Sequence, residues 1–246
     1  MSRASSKVAL FTVHGADGNA DPTNIADGNA PSRSDHVYRH LREQLMRGEL
    51  KPHERLRIRE LAASLDTSET PVREAIFQLV RDGAIELKPH SYVRVRRLSL
   101  AEYLEGREIR LMLEPLAAER ALEHVSAADI AGLAQVHQEL LAAEKACNAS
   151  TAIVANYDFH MSLYRCSGLP QVVNIIETLW TQLGPLLNEY LYRDGTPYGA
   201  SGHQHEQVLV ALEQRDTKAL RKAIRDDMIE GGQGFVRALA DREKKK

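Results

Sequence analysis

The chain has 246 residues, of which 27% are charged, and a net charge of −2. This length suggests two domains, and no apolar run is long enough to cross a bilayer or to form a secretory leader. Residues 32–98 carry 14 basic residues against 10 acidic ones, a charge of +4, whereas the rest of the chain carries −6. The two cysteines, Cys147 and Cys166, lack metal-ligand spacing. We therefore expect a cytoplasmic protein with reduced thiols and one cationic module.

Residues 1–31 differ in composition from the rest of the chain. They are rich in Ala, Gly, Asn, Asp and Ser, and the run Ala-Asp-Gly-Asn-Ala occurs at 16–20 and again at 26–30. The order of oxygen donors and glycine does not match a calcium-binding loop. This composition predicts a disordered tail.

Two short amphipathic segments indicate a helix-turn-helix. The first begins at Ile58-Arg59-Glu60-Leu61-Ala62, and the second at Ser68-Glu69-Thr70-Pro71-Val72-Arg73. Ser68 occupies a helix N-cap position, and Pro71 falls in the first turn, where a missing N–H breaks no intrahelical bond. Gly83 follows as a C-terminal stop signal. This spacing is typical of the motif that places its second helix in the DNA major groove.

A preceding helix and a following hairpin complete this module. Apolar residues recur at helical spacing over 37–45. After the pair, Ile85-Glu86-Leu87 and Tyr92-Val93-Arg94-Val95 alternate as strands around a turn-forming tip at 88–91. Three helices followed by a basic-tipped hairpin predict a winged helix-turn-helix over residues 32–98.

The remainder of the chain is predicted to be helical. Ser99 with Glu102 and Ser126 with Asp129 are capping boxes that open its first two helices. Short polar links separate the further patterns, so that helices are predicted over 99–124, 126–147, 151–166, 171–193, 201–214 and 216–238. We therefore predict a mainly α protein in which the winged helix-turn-helix, with its three helices and small β-wing, is followed over 99–238 by an all-α antiparallel six- to seven-helix bundle. A charged tail at 239–246 ends the chain.

Four polar residues lie on helix faces that should point into this bundle. Asn156 and His160 are one helical turn apart, and His205 and Asp227 share their faces with aliphatic residues of later helices. Buried imidazoles and carboxylates are unfavourable unless they are hydrogen-bonded, paired or bound to a metal. A single such histidine would indicate only an ordinary hydrogen-bonded core residue. The set of four predicts one shared metal or ligand site.

Several short motifs, specific in combination, connect both halves of the chain to one known family. They are Arg47-Gly48-Glu49-Leu50-Lys51-Pro52-His53-Glu54-Arg55-Leu56, Arg59-Glu60-Leu61-Ala62 and Thr70-Pro71-Val72-Arg73-Glu74-Ala75 in the first half, and Arg110 with Leu113-Glu114, Phe159-His160, and Ser201 with His205 in the second. On these residues the chain resembles the GntR superfamily of bacterial transcription regulators, in the FadR-like branch with an all-helical FCD effector domain. The likeness spans residues 33–238.

The resemblance implies a homodimer that binds a pseudo-palindromic operator in double-stranded DNA, usually as a repressor, under the control of a small carboxylate metabolite held in the helical domain. It places the DNA contacts at Arg59, Ser68, Glu69, Thr70, Arg73, His90 and Ser91. Arg73 would project from the recognition helix and pair with guanine or phosphate. Glu69 departs from the family, which usually has arginine there, although a carboxylate suits the positive end of a helix dipole.

The metal site that the resemblance implies also departs from the family pattern. In the metal-binding branch an aspartate and three histidines are the ligands, and they correspond here to Asn156, His160, His205 and Asp227. Two imidazoles, one carboxylate and one amide oxygen therefore remain. We expect a divalent ion, zinc first because of its affinity, with nickel, manganese or magnesium as alternatives. If no ion binds, the same residues are expected to hydrogen-bond the effector directly.

The family pocket often presents an arginine, and Arg110 lies on the helix that opens the bundle. Its guanidinium would orient a metal-bound acid, and the alternative is a surface ion pair with Glu114 at i, i+4. Further pocket candidates, each also compatible with simple packing, are Arg107, Tyr164, Trp180, Asn188 and Tyr192.

Two other classes of function remain open. His160, His205 and Asp227 with a bound water describe a metal-dependent hydrolase, because two histidines and one carboxylate leave a coordination position open. No further residue is evident as a general base, and the winged domain would be unexplained. Alternatively, the bundle is a metal-free protein-interaction module whose polar core sets the register of its helices. A regulator that is not an enzyme accounts for both domains.

Overall fold

The computed structural model describes residues 32–88, 92–193 and 204–244, with the backbone alone over 188–193. Its helices are α1 (Arg33–Met46), α2 (Ile58–Ser64), α3 (Glu69–Arg81), α4 (Leu100–Ala121), α5 (Ala127–Lys145), α6 (Ala149–Arg165), α7 (Pro170–Arg193), α8 (His205–Glu213), α9 (Thr217–Gly231) and α10 (Gln233–Glu243). Its strands are β1 (Arg55–Leu56), β2 (Ile85–Lys88) and β3 (Tyr92–Val95). The mainly helical class with a small wing is confirmed. Within the described ranges, no helix combines the length and the apolarity needed to cross a bilayer.

The winged helix-turn-helix consists of α1 to α3 and the small sheet. α3 begins at Glu69 with Ser68 as its N-cap residue, as predicted, although the Ser68 side chain makes no cap hydrogen bond within the described part of the chain. Gly83 follows α3 with a φ of 72°, a left-handed conformation that glycine adopts without strain. An apolar cluster of its own stabilises this domain, and it includes Val37, Leu41, Leu45, Val72, Ile76, Leu79 and Val95.

The wing has one more strand than the sequence predicted. β2 and β3 pair antiparallel over their whole length, which confirms the hairpin. β1 pairs with the other edge of β3, with Arg55 opposite Arg94, and the strand order is β1-β3-β2. A strand of two residues is too short to show an alternating pattern in the sequence. The predicted DNA contacts His90 and Ser91, at the tip, lie outside the described residues.

Helices α4 to α10 form the bundle. The predicted capping boxes are present, because the hydroxyls of Ser99 and Ser126 accept from backbone N–H groups at the starts of α4 and α5. α6 and α7 begin within two residues of their predicted starts. The predicted start of α8 at 201 lies outside the described residues.

The last helix differs from the prediction. A single helix over 216–238 is wrong, because the chain breaks at Gly232 and then continues as α10 to Glu243. The break allows α10 to pack Phe235 against Tyr103 of α4, with 6.0 Å between the ring centroids. A Cβ at Gly232 would lie 2.5 Å from the Tyr103 hydroxyl and 2.6 Å from the carbonyl oxygen of Met228, so a larger residue here would force this contact to shift. Burial of an apolar face against α4 therefore decides where the chain turns.

The winged domain lies directly on the bundle through α1 and α7. Arg42 of α1 donates to Thr178 Oγ1 at 3.1 Å and pairs with Glu177 at 3.2 Å. The helices approach most closely at Gly184, where a Cβ would lie 1.9 Å from the carbonyl oxygen of Leu45. Only glycine permits this backbone contact.

Candidate functional site

The side chains predicted to contact DNA lie on the exposed surface of α2 and α3. The Arg59 and Arg73 side chains are 91% and 56% exposed. Ser68 and Thr70, at the start of α3, are exposed as well. The first turn of a helix presents N–H groups without intrahelical partners, which favours contact with an anion such as a phosphate. These four positions are accessible to a DNA duplex.

Glu69 joins the two arginines of this surface. Its Oε2 accepts from Nη2 of Arg73 at 2.9 Å, and its Oε1 accepts from Nε of Arg59 at 3.2 Å. These hydrogen bonds, with that from Arg73 the stronger influence, hold the pKa of Glu69 below its ordinary value. The sequence did not reveal this bridge, because it connects side chains of two different helices.

Three of the four predicted metal ligands meet inside the bundle. His160 of α6, His205 of α8 and Asp227 of α9 are all buried. Nε2 of His160 lies 3.3 Å from Nε2 of His205 and 3.2 Å from Oδ2 of Asp227. Nε2 of His205 lies 3.9 Å from the other oxygen of that carboxylate. Three helices thus bring two imidazoles and one carboxylate to one point.

The fourth predicted ligand, Asn156, is buried one turn before His160 on α6. Its Oδ1 accepts no hydrogen bond from the described residues. A buried amide oxygen without a partner is unfavourable, and a bound cation or ligand would satisfy it. On the other side, the backbone N–H of Gln204 donates to Oδ1 of Asp227 at 3.0 Å and positions that carboxylate.

A buried network orients the His160 ring. Tyr164 donates its hydroxyl proton to Oε2 of Glu114 at 2.8 Å, because an ionised carboxylate only accepts. The Tyr164 oxygen then accepts from Nδ1–H of His160, 3.1 Å away. In the neutral imidazole, Nε2 therefore carries the lone pair and directs it toward His205 and Asp227. Burial, together with the charge of Glu114, raises the pKa of Tyr164 well above its ordinary value, so the hydroxyl keeps its proton.

This donor set fits a divalent metal ion. Imidazole lone pairs and carboxylate oxygens repel one another at such distances unless a proton or a cation lies between them. Four tetrahedral ligands at about 2.1 Å from zinc are about 3.4 Å from one another. Nε2 of His160 lies at 3.3 Å from Nε2 of His205 and at 3.2 Å from Oδ2 of Asp227, which is close to that value. One donor atom from each of the three residues can be chosen so that all lie within 4.8 Å of one another. Two imidazoles suit zinc or nickel, and the oxygen donors extend the range toward manganese and magnesium.

Among the predicted effector contacts, Arg110 and Tyr164 belong to the same buried network. Nε of Arg110 donates to Oε1 of Glu114 at 2.5 Å, and its guanidinium lies over Trp180 with 4.7 Å to the ring centroid. The ion pair considered for the surface is therefore formed in the interior. Burial acts to lower the pKa of Arg110, but the charge of Glu114 outweighs it and the net shift is upward.

A third candidate, Trp180, also belongs to this network, because its Nε1 donates to Oε1 of Glu114, whereas Arg107 packs elsewhere on α4. Arg107 lies beside Tyr103, with its guanidinium carbon 5.9 Å from the ring centroid. Asn188 and Tyr192 belong to the last turns of α7, whose side chains fall outside the described residues. A cavity of about 280 Å³ lies at the turn between α6 and α7, around Leu169, away from the polar site.

Two buried polar residues around the site were not predicted to take part in it. Glu114 is fully buried and accepts hydrogen bonds from three side chains, including Nε1 of Trp180 at 3.0 Å. His137 of α5 is buried edge-on to His205, with 5.4 Å between the ring centroids. For His137 the sequence held a signal, because it lies between Leu133 and Leu140 on the apolar stripe of its helix.

A winged helix-turn-helix with exposed arginines, joined to a helical bundle with a buried polar site, defines a DNA-binding transcription regulator with a separate helical domain. Residues 33–95 match the bacterial regulatory proteins of the gntR family, and residues 105–229 match the FCD domain. The chain belongs to the GntR family of transcription regulators, in the group that carries an FCD domain.

Relatives and solved structures agree with this assignment. The HTH-type transcriptional regulator McbR of Escherichia coli (strain K12) is 32% identical over 194 residues, which are 78% of this chain and 87% of that protein. The HTH-type transcriptional repressor RspR of the same strain is 26% identical over 79% of this chain and 85% of its own length. The structure of E. coli McbR/YncC has a TM-score of 0.77 at 30% identity and covers 87% of this chain and all of that chain. These relatives are named as transcription regulators, so they give the hydrolase alternative no support.

Proposed function

We propose that this regulator is a repressor that binds a pseudo-palindromic operator as a homodimer, and that a small carboxylate held beside a divalent metal ion in the helical domain controls its affinity for DNA. The convergence of His160, His205 and Asp227 in the core of the helical domain carries the proposal. Two E. coli relatives, RspR and GlaR, are named as repressors, which supports this sign of regulation.

The proposed DNA contacts come from three parts of the winged domain: the recognition helix with the turn that begins it, the preceding helix, and the wing. Arg73 would pair with a base or a phosphate in the major groove, and Arg59, on the preceding helix, would contact phosphate. Ser68 and Thr70 belong to the turn at the start of the recognition helix, where hydroxyl and backbone donors position the protein on the phosphate backbone. His90 and Ser91 would contact DNA from the wing.

In the helical domain, Asn156, His160, His205 and Asp227 would hold the metal ion. When bound, the ion supplies a positive charge that coordinates and orients the acid group of the effector. The hydrogen-bonded network behind His160 keeps its Nε2 directed at the site. Arg110, whose guanidinium is paired with Glu114 in the same network, would contact the acid group of the effector.

Helix α6, which carries Asn156 and His160, and the neighbouring helix α7 both contact the winged domain. α6 carries His160 and, two residues earlier, Asp158, whose Oδ1 accepts from Arg47 at the end of α1, at 3.2 Å. α7 carries Glu177, which pairs with Arg42 of α1. A ligand that displaces α6 or α7 would therefore alter the docking of α1. It changes the affinity for DNA only if it binds the two arrangements with different affinities.

Calorimetric titration of metal-stripped protein with zinc chloride tests the metal site. We expect His205→Ala to weaken zinc binding by roughly tenfold or more, because it removes one of the converging donors. His124→Ala is the matched control, because His124 is an exposed histidine of the same domain. Equal affinities of wild type and His205→Ala would show that zinc binds elsewhere.

Fluorescence anisotropy tests the control of DNA binding. The probe is a labelled duplex enriched by the wild-type protein from a randomised library, and small organic acids are added with and without zinc. We expect at least one acid to weaken binding by about tenfold, with the response lost in Asp227→Ala. If every acid of the panel leaves both the affinity and the melting temperature unchanged, a carboxylate effector is wrong.

A further inference from the structure

We propose that Glu69 is a positioning residue of the DNA-binding surface, whose carboxylate holds Arg59 and Arg73 in place and cancels part of their charge, so that the regulator discriminates among sequences instead of binding any duplex tightly. The inference rests on the proposed DNA contacts of the two arginines. It goes beyond them by assigning a role to a side chain that need not touch DNA itself.

The geometry of the bridge leaves both arginines available. Arg59 uses Nε and Arg73 uses Nη2 toward the carboxylate, so the other nitrogens of each guanidinium can still donate to DNA. Glu69 is less exposed than either partner, at 38% against 91% and 56%. The bridge also ties α2 to the first turn of α3, the two elements whose relative position decides where the side chains meet the groove.

The net charge of Arg59, Glu69 and Arg73 bears on two contributions to DNA binding: attraction to the phosphates of any sequence, and reading of base edges. Arg59, Arg73 and an ionised Glu69 sum to +1, whereas the arginine usual in the family at position 69 would make the sum +3. Each phosphate neutralised by a cation strengthens binding to every sequence and steepens its dependence on salt. Reading of base edges instead requires side chains held at a defined place. The Glu69 carboxylate therefore weakens the attraction to phosphates that strengthens binding to every sequence, and it supports the reading of base edges by holding the two arginines in place.

The test compares Glu69→Gln and Glu69→Asp with the wild type on two duplexes, one of random sequence and one enriched by the wild type from a randomised library. Glu69→Gln removes the charge and should bind the random duplex roughly threefold to tenfold more tightly at low salt. Its plot of log affinity against log salt should be steeper by roughly 1 per bound protomer. Glu69→Asp keeps the charge but is shorter, so it should keep the wild-type salt dependence and lose discrimination between the duplexes. Glu74→Gln is the control, because Glu74 is an exposed carboxylate of the same helix.

The outcomes separate this inference from the proposal on which it rests. If Glu69→Gln binds the random duplex with the affinity and salt dependence of Glu74→Gln, the inference is wrong. It is also wrong if Glu69→Gln only loses affinity for the enriched duplex, because Glu69 would then contact a base itself. If Arg59→Ala and Arg73→Ala bind both duplexes as the wild type does, the proposed contact surface is wrong and the inference fails with it.

Discussion

Glu114→Gln tests how the core of the helical domain tolerates a buried charge. Glu114 is fully buried, and its two oxygens accept four hydrogen bonds: two from Arg110 at 2.5 and 3.3 Å, one from Tyr164 at 2.8 Å and one from Trp180 at 3.0 Å. A glutamine has nearly the same shape, but its NH₂ group would face two of these donors. The guanidinium of Arg110 would also lose its counter-ion in the interior.

The expected cost follows from these contacts. Breaking a buried ion pair by neutralising one partner costs about 3–5 kcal/mol, because the other charge stays buried without compensation. For a chain of this size, each kcal/mol lowers the melting temperature by about 2–4 °C. We therefore expect Glu114→Gln to melt roughly 10 °C below the wild type, since the smaller estimates combine to about 6 °C and the larger to about 20 °C.

Thermal denaturation followed by circular dichroism measures this difference. Glu108→Gln is the control, because Glu108 is an exposed carboxylate of the same helix and its loss should change stability by less than about 0.5 kcal/mol. The double variant Arg110→Met with Glu114→Gln removes the uncompensated charge and should recover part of the loss. The reasoning is refuted if Glu114→Gln has the same melting temperature as Glu108→Gln. It is also refuted if the double variant melts no higher than Glu114→Gln alone.

Three further predictions concern other parts of the molecule. Gly184→Ala would place a Cβ 1.9 Å from a backbone oxygen of α1, so we expect urea denaturation to show a loss of about 3 kcal/mol. The control is Gly106→Ala, at a helical position where a Cβ would meet no neighbour within 4 Å, and it should raise the free energy of unfolding by about 0.5–1 kcal/mol. Equal effects of the two substitutions would argue against the close contact between α1 and α7. Ser126→Ala removes the cap of α5 and should cost about 1 kcal/mol at neutral pH. Hydrogen bonds from the Ser126 hydroxyl and backbone N–H hold the pKa of Asp129 below its ordinary 3.8. The part of the cost that comes from the lost hydroxyl–carboxylate bond is therefore present above that value and disappears as the pH falls through the lowered pKa, whereas the part that comes from the lost cap bond to the Asp129 N–H remains. A cost that does not decrease in acid contradicts the assignment. Asn156→Asp should bind zinc roughly tenfold more tightly than the wild type in calorimetry, because a carboxylate is a stronger ligand than an amide, and unchanged affinity would remove that position from the proposed ligands.

Local signals in the sequence determined the helices and the hairpin of the winged domain. The N-cap position of Ser68, the stop at Gly83 and the apolar periodicity between them involve residues within one or two turns of each other, so they act before any tertiary contact. The capping boxes at Ser99 and Ser126 are equally local. Periodicity also indicated that His160 faces inward, because it shares a stripe with aliphatic residues.

The tertiary structure decided which partners from other segments reach each carboxylate, although the Arg110–Glu114 pair at i, i+4 was already evident in the sequence. Glu114 finds Tyr164 and Trp180 at positions 50 and 66 residues further along the chain, and the carboxylate of Glu69 finds an arginine of another helix. The last helix likewise ends and restarts where Phe235 can be buried. A helix sequence specifies which of its faces is apolar, but the side chain that opposes a polar group on that face belongs to another segment. Its identity, its distance and the resulting pKa therefore depend on how the helices pack.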